Sequence, residues 1–230
     1  MPQASSARAA LSNLFLNFLN NSLKIHQTCL LCGQRCPDDF CPACEQDWQQ
    51  QHRLCPQKNV VPLQQIAAAF PYQWPLTRLV QQFKYHRQLT LAAPLARLMH
   101  RYLPHYPPEA CPDFLVPIPL HPQRFAKRGF NQSAELALQL GHLRQIPVSF
   151  QCLARTIATP SQVGLTAQQR QHNLGHAFAV RHPVAGQKIV LIDDVMTTGT
   201  TLAQAAKTLL EAGAKQVDAW VFASTPAHFS

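Results

Sequence analysis

The chain has 230 residues, 47% of them hydrophobic, which is enough for one sizeable core and a small appendage. No apolar run approaches the roughly 18 residues needed to cross a bilayer, which excludes a membrane-spanning helix. The formal net charge of +9 is uneven: between Trp48 and Ile192 fifteen Lys or Arg stand against three acids, Glu109, Asp113 and Glu135, a local +12 that suits a polyphosphate or a nucleic acid backbone.

Residues 1–25 open the chain. Leu11, Leu14, Phe15, Phe18 and Leu19 fall on one face of a helix, so an amphipathic N-terminal helix is expected, packed on the rest of the protein. Asn13, Asn17 and Asn20 interrupt the apolar run. The start is not strongly basic and no clear A-x-A site follows, which argues against a secretory signal and for the cytoplasm.

Residues 26–60 read as a zinc-ribbon-like module and linker. Cys29-x-x-Cys32-Gly33 and Cys41-x-x-Cys44 are two CxxC units eight residues apart. Each pair can take one side of a tetrahedral ion, and four thiolates suit Zn²⁺. Disulfides are the rival use, but they normally accompany secretion. Cys36, Cys55, His26 and His52 are alternative ligands; the paired four are expected because CxxC geometry serves both sides alike. A segment with so little apolar content needs the ion to hold its shape, so the zinc is expected to be structural. The glutamine-rich residues 46–51 and the run to Pro62 read as linker. Cys111 and Cys152 read as ordinary small apolar residues.

Residues 61–230 alternate strands and helices. Strands are expected at 66–70, 114–119, 178–180, 188–192 and 217–223, and helices at 76–86, 89–103, 133–143 and 200–211. The alternation implies an α/β fold, an open parallel sheet with helices on both faces and ligands beyond the strand carboxyl ends.

Three stretches of this region carry chemistry. Val116-Pro117-Ile118-Pro119 ends a buried strand and leads into His121, Arg124, Lys127, Arg128, Gly129, Phe130, Asn131 and Gln132. Three cations and a glycine within ten residues suggest an anion site, with pyrophosphate the obvious anion; a solvated basic helix face is the plain alternative. Residues 155–180, with Arg155, Gln162, Arg170 and Asn173, hold no acid and suit a mobile basic lid, or a plain connection.

The third stretch is Asp193-Asp194-Val195-Met196-Thr197-Thr198-Gly199-Thr200-Thr201, between an apolar strand and a helix. Small residues at a helix start let backbone N–H groups approach a phosphate. Asp193 and Asp194 beside that cradle can accept hydrogen bonds from sugar hydroxyls, directly or through Mg²⁺. None of the eight glycines is followed by lysine, so a P-loop NTPase is excluded.

The segment closely resembles the phosphoribosyl-diphosphate (PRPP) motif of type I phosphoribosyltransferases. Taken with the cysteine-rich front end, V-P-I-P-L-x₃-R-x₃-R-G-F-N-Q and R-T-x₅-Q-x₂-L-x₄-R-x₂-N-x₃-A-F, the order resembles the ComF family of bacterial competence proteins, which includes those called GntX. The resemblance implies a type I phosphoribosyltransferase fold behind a zinc ribbon, and a role in handling incoming single-stranded DNA. It implies that residues 193–201 bind PRPP with Mg²⁺. Some members carry a second pair of CxxC units, and here only Cys55 follows the first two.

Two readings of activity follow. In the first, an active transferase, Asp193 and Asp194 are catalytic, and Arg124, Arg128 and Arg170 hold the leaving pyrophosphate. In the second, a binding module, PRPP is held while a basic surface (Lys84, Arg87, Lys127 and Arg128) and the zinc ribbon grip single-stranded DNA or a helicase partner. Only 224–230 follow the last strand, which leaves little chain for recognising a base and favours the module. The acceptor of an active transferase is not legible.

Overall fold

The computed structural model of the protein describes residues 27–53, 59–85, 88–156 and 177–225. The expected N-terminal helix, Cys55, Arg87 and Arg170 lie outside these residues, as does the side chain of Lys127. The chain divides into two compact units, one ending at Asp47 and one beginning at Trp48.

In the first unit, β1 (Gln27–Thr28) and β2 (Arg35–Cys36) pair antiparallel. Helix α1 (Pro42–Arg53) begins directly after Cys41. The expected linker at 46–51 is therefore helical. Pro42 and Glu45 in the first turn favour a helix start, and from Trp48 onward the helix belongs to the second unit. There Trp48 is fully buried with its ring 6.2 Å from that of Phe70, and His52 Nδ1 lies 2.7 Å from the Ala69 carbonyl. Tertiary contact overrides composition at this point.

The second unit has strands β3 (Ile66–Pro71), β4 (Phe114–Pro117), β5 (Leu153–Arg155), β6 (Phe178–Val180), β7 (Lys188–Met196) and β8 (Gln216–Ser224). Its helices are α2 (Leu76–Tyr85), α3 (Ala92–Tyr102), α4 (Pro122–Arg128), α5 (Gln132–Arg144) and α6 (Thr200–Glu211). Four strands form one parallel sheet in the order β3-β8-β7-β4. The central pair is apolar along most of its length because both faces are covered.

Leu202, Ala205, Ala206 and Leu209 recur at helical spacing and seat α6 against Ile189, Leu191, Val217 and Ala219. Helices α3 and α5 cover the other face with Leu95, Met99, Leu136 and Leu140. The α/β open parallel sheet expected from the alternation is what forms. Each fully buried leucine of these stripes contributes about 2 kcal/mol by leaving water.

Two details differ from the sequence reading, and a third, the helix of the basic run, matches the plain alternative it held open. Residues 178–180 do form a strand, but β6 pairs antiparallel with β5, outside the parallel sheet. The basic run after Pro119 contains a helix, α4, which starts at Pro122 behind a His121 cap and stops at Gly129 with φ of 83°. The Asp193-Asp194 pair lies within β7, which continues to Met196, rather than where the strand ends.

Candidate functional site

In the first unit the sulfurs of Cys29, Cys32, Cys41 and Cys44 lie within 4.8 Å of one another, and Cys32 Sγ and Cys41 Sγ are 3.6 Å apart. Tetrahedral zinc with Zn–S of about 2.3 Å separates its sulfurs by about 3.8 Å, so the four fit that ion. The turn that shapes the first pair needs Gly33, at φ of 77°, whose N–H donates to the Cys29 carbonyl. Burial works against a Cys29 thiolate, but the N–H groups of Cys32, Cys41 and Leu31 outweigh it and bring that thiol down to about 6. Burial and the neighbouring thiols push Cys44 up. Cys36, an alternative ligand from the sequence, stands apart and donates to the Asp38 carbonyl at 2.9 Å. Cys152 is buried as expected, whereas Cys111 is exposed.

In the second unit the carboxyl end of β7 builds the other site. Asp193 lines a small cavity with Val195, Met196, Thr197, Thr198, Gly199, Thr200, Thr201 and Leu202. Asp194 does not. Asp193 Oδ1 accepts from Ser133 Oγ at 2.8 Å and from the Asp194 N–H at 2.9 Å. Burial and the adjacent Asp194 carboxylate push the Asp193 carboxyl up to about 7, against the pull of Ser133 and Lys84. Asp194 Oδ1 accepts from the Val195 N–H at 2.6 Å and from Lys84 Nζ at 3.1 Å.

The loop past the strand is tightly defined. Gly199 adopts φ of 81° and caps α6, whose first N–H groups have no acceptor within the helix. Thr198 Oγ1 and Thr200 Oγ1 lie 2.8 Å apart. Thr225 ties the loop to the end of β8: its N–H donates to the Met196 carbonyl at 2.9 Å and its Oγ1 to the Thr197 carbonyl at 3.2 Å.

The basic string packs beside this site. Asn131 caps α5 by accepting from the Ser133 N–H, which sets Ser133 against Asp193, while its own amide donates to the Ile118 carbonyl. Arg128 Nη1 donates to Gln132 Oε1 at 3.1 Å, and Arg124 is exposed on α4. Arg155 on β5 has Cζ 5.4 Å from the centre of the Phe178 ring. Burial and the Arg124 guanidinium lower its pKa while Asp193 opposes them, so one electrostatic neighbourhood joins Arg124, Arg155 and Asp193. Ser133 is a site residue that the sequence reading missed. Its signal is the Asn131 cap, which places the next helix start against the strand end. Lys84, expected to contact DNA, pairs with Asp194, its side chain 18% exposed.

The family model described as the phosphoribosyl transferase domain matches residues 125–228, the span that holds the basic string from Lys127 on, the acid pair and the loop. The "DNA utilization protein YhgH" of Salmonella typhi is 35% identical over 208 residues, covering 81% of this chain and 90% of that protein. "Competence protein F" of Haemophilus influenzae is 33% identical over 155 residues, 65% of this chain and 68% of its own. The chain belongs to the ComF family. "Competence protein ComFC" of Streptococcus pneumoniae is a more distant ComF relative, 31% identical over 153 residues, 65% of this chain and 64% of that one. Among the described residues of this ComF protein, no helix is long and apolar enough to cross a membrane.

Proposed function

We propose that this ComF-family chain binds PRPP with Mg²⁺ at the carboxyl end of β7 and acts in DNA uptake, handling incoming single-stranded DNA in the cytoplasm. One observation carries the ligand: Asp193 and residues 197–201 line the same cavity, which offers a carboxylate for sugar hydroxyls or a hard cation next to helix N–H groups for a phosphate. When bound, Mg²⁺ neutralises part of the diphosphate charge. Arg124 and Arg128 supply cations for the same end of the ligand, Arg170 being a further candidate from the sequence. The role in DNA draws on the names of the relatives and on the +12 between residues 48 and 192. Zn²⁺ at the four cysteines is structural in this reading, and a helicase or another competence protein is the natural protein partner.

The direct test is thermal denaturation with Mg²⁺ and PRPP. Ligand at about a hundredfold over its Kd raises stability by about 2.7 kcal/mol; an unchanged melting temperature at millimolar PRPP removes the reading. Pyrophosphate release with a panel of bases and amines distinguishes the alternative, an active phosphoribosyltransferase of nucleotide metabolism in which Asp193 and Asp194 are catalytic.

The acid pair also fixes a pH dependence. A cation or a diol needs Asp193 ionised, yet in the free protein burial and Asp194 hold its carboxyl up to about 7. Below that pH a proton must be displaced, so affinity for Mg²⁺ and PRPP falls about tenfold per pH unit and levels off above it. The sign for the free protein is opposite. A raised carboxyl contributes stability that is present below its unfolded value and lost as pH rises through about 7. Calorimetry in buffers of different ionisation heat reads the proton released on binding at pH 6; zero release contradicts the assignment.

For DNA, single-strand affinity is expected to fall steeply with salt, because each phosphate contact releases counterions. Filter binding between 50 and 200 mM salt tests this, with Arg128→Ala, Lys127→Ala and Arg87→Ala as the weakening variants. Salt-independent binding rules out a backbone-reading surface.

A further inference from the structure

The second member of the acid pair is joined to a cation from a distant helix. Lys84 stands in the last turn of α2, with Nζ 3.1 Å from Asp194 Oδ1. An ammonium has three donors, and among the described residues only Asp194 forms an ion pair with it. At 18% and 11% side-chain exposure the two groups are nearly out of water but still reachable from it. Such a pair offers little net stability over an apolar replacement, so stability alone does not account for a buried cation next to Asp193.

The surroundings supply another reason. Phe83, next to Lys84, has its ring 5.7 Å from that of Phe130, in the middle of the Arg128–Gln132 string. The end of α2 is thus docked on the segment that carries Arg128. The cavity at residues 197–201 is lined by Asp193 but by neither Asp194 nor Lys84. An anion met by Lys84 is therefore a different group from the one held at residues 197–201.

We propose that Lys84 contacts the diphosphate end of the bound PRPP, and that Asp194 is a positioning residue that holds the Lys84 ammonium in place rather than a ligand of the sugar. The inference rests on the PRPP reading above. It accounts for two adjacent acids at an anion site: one faces the sugar, and the other spends its charge on a cation that faces the diphosphate.

The test compares three ligands, each with Mg²⁺ and each titrated by calorimetry: PRPP, inorganic pyrophosphate and ribose 5-phosphate. Lys84→Met is expected to lose about tenfold to a hundredfold in affinity for PRPP and pyrophosphate, the scale of one charge-assisted hydrogen bond, with ribose 5-phosphate changed less than about threefold. Lys84→Arg restores most of the loss. Asp194→Asn reproduces the Lys84→Met pattern, because it releases the same ammonium. If Lys84→Met leaves a lone buried carboxylate and does not fold, the double variant Lys84→Met/Asp194→Asn removes both charges and carries the same expectation. Equal losses for all three ligands reduce Lys84 to a structural role, and unchanged PRPP affinity removes it from the site; either overturns the inference. Absence of PRPP binding by the unaltered protein instead overturns the PRPP reading itself.

Discussion

Replacing Cys41 and Cys44 together with serine is expected to abolish metal binding and to unfold residues 27–47. In that stretch the buried hydrophobic residues are Cys29, Cys36, Phe40, Cys41 and Cys44; Phe40 is the one large side chain among them, and Leu30 is 38% exposed. Burying one phenylalanine stabilises by about 2–3 kcal/mol. Ordering these twenty-one residues costs far more, at about 1–2 kcal/mol each. The metal has to close that gap, and structural zinc contributes apparent free energies of about 10–16 kcal/mol in small modules. The unaltered protein, purified under reducing conditions, should hold one zinc per chain. The double variant should hold none, and its amides in 27–47 should exchange with solvent unprotected, while those of β7 and β8 keep their protection because a separate apolar core covers both faces of that sheet. Protection of 27–47 without zinc would show that the thiols are a core and not a metal centre.

The same contrast explains what could be read in advance. The four cysteines are legible because CxxC spacing is local, and the turn at Gly33 completes it within the same few residues. β7 and α6 are legible because apolar periodicity changes from that of a buried strand to that of a helix across a run of hydroxyls. The pairing of Lys84 with Asp194 is not. It joins residues 110 positions apart, and nothing local in the sequence shows that Asp193 meets Ser133 of α5 while Asp194 meets Lys84 of α2. Likewise α1 contradicts its glutamine-rich composition because Trp48 and His52 anchor its second half on Phe70 and Ala69. The three-residue strands β5 and β6 are too short to carry a period that would tell a parallel from an antiparallel partner.

Val60 belongs to that second class, and it makes the loop at residues 197–201 unusually intolerant of change. In the expected linker run, Val60 lies against the loop: a Cβ added to Gly199 meets Val60 Cγ2 at 2.7 Å and Cγ1 at 3.1 Å. Valine is stiff at χ1 and cannot swing clear. The backbone at φ of 81° is also unfavourable for any L side chain, by about 1–2 kcal/mol. Gly199→Ala therefore either strains the loop or shifts it, and a shift of an ångström in groups that orient a ligand costs about a hundredfold. We expect Gly199→Ala to lower PRPP affinity by that order and to reduce stability by about 2 kcal/mol or more. Val60→Ala alone should change affinity little. In the double variant the clash is gone and the backbone strain remains, so part of the affinity returns and the stability deficit narrows toward the 1–2 kcal/mol of the left-handed conformation. Calorimetric titration of the four proteins closes this cycle. Full affinity in Gly199→Ala would mean that the N–H groups behind Gly199 do not hold the phosphate, and the ligand would have to be sought elsewhere along the carboxyl edge of the sheet.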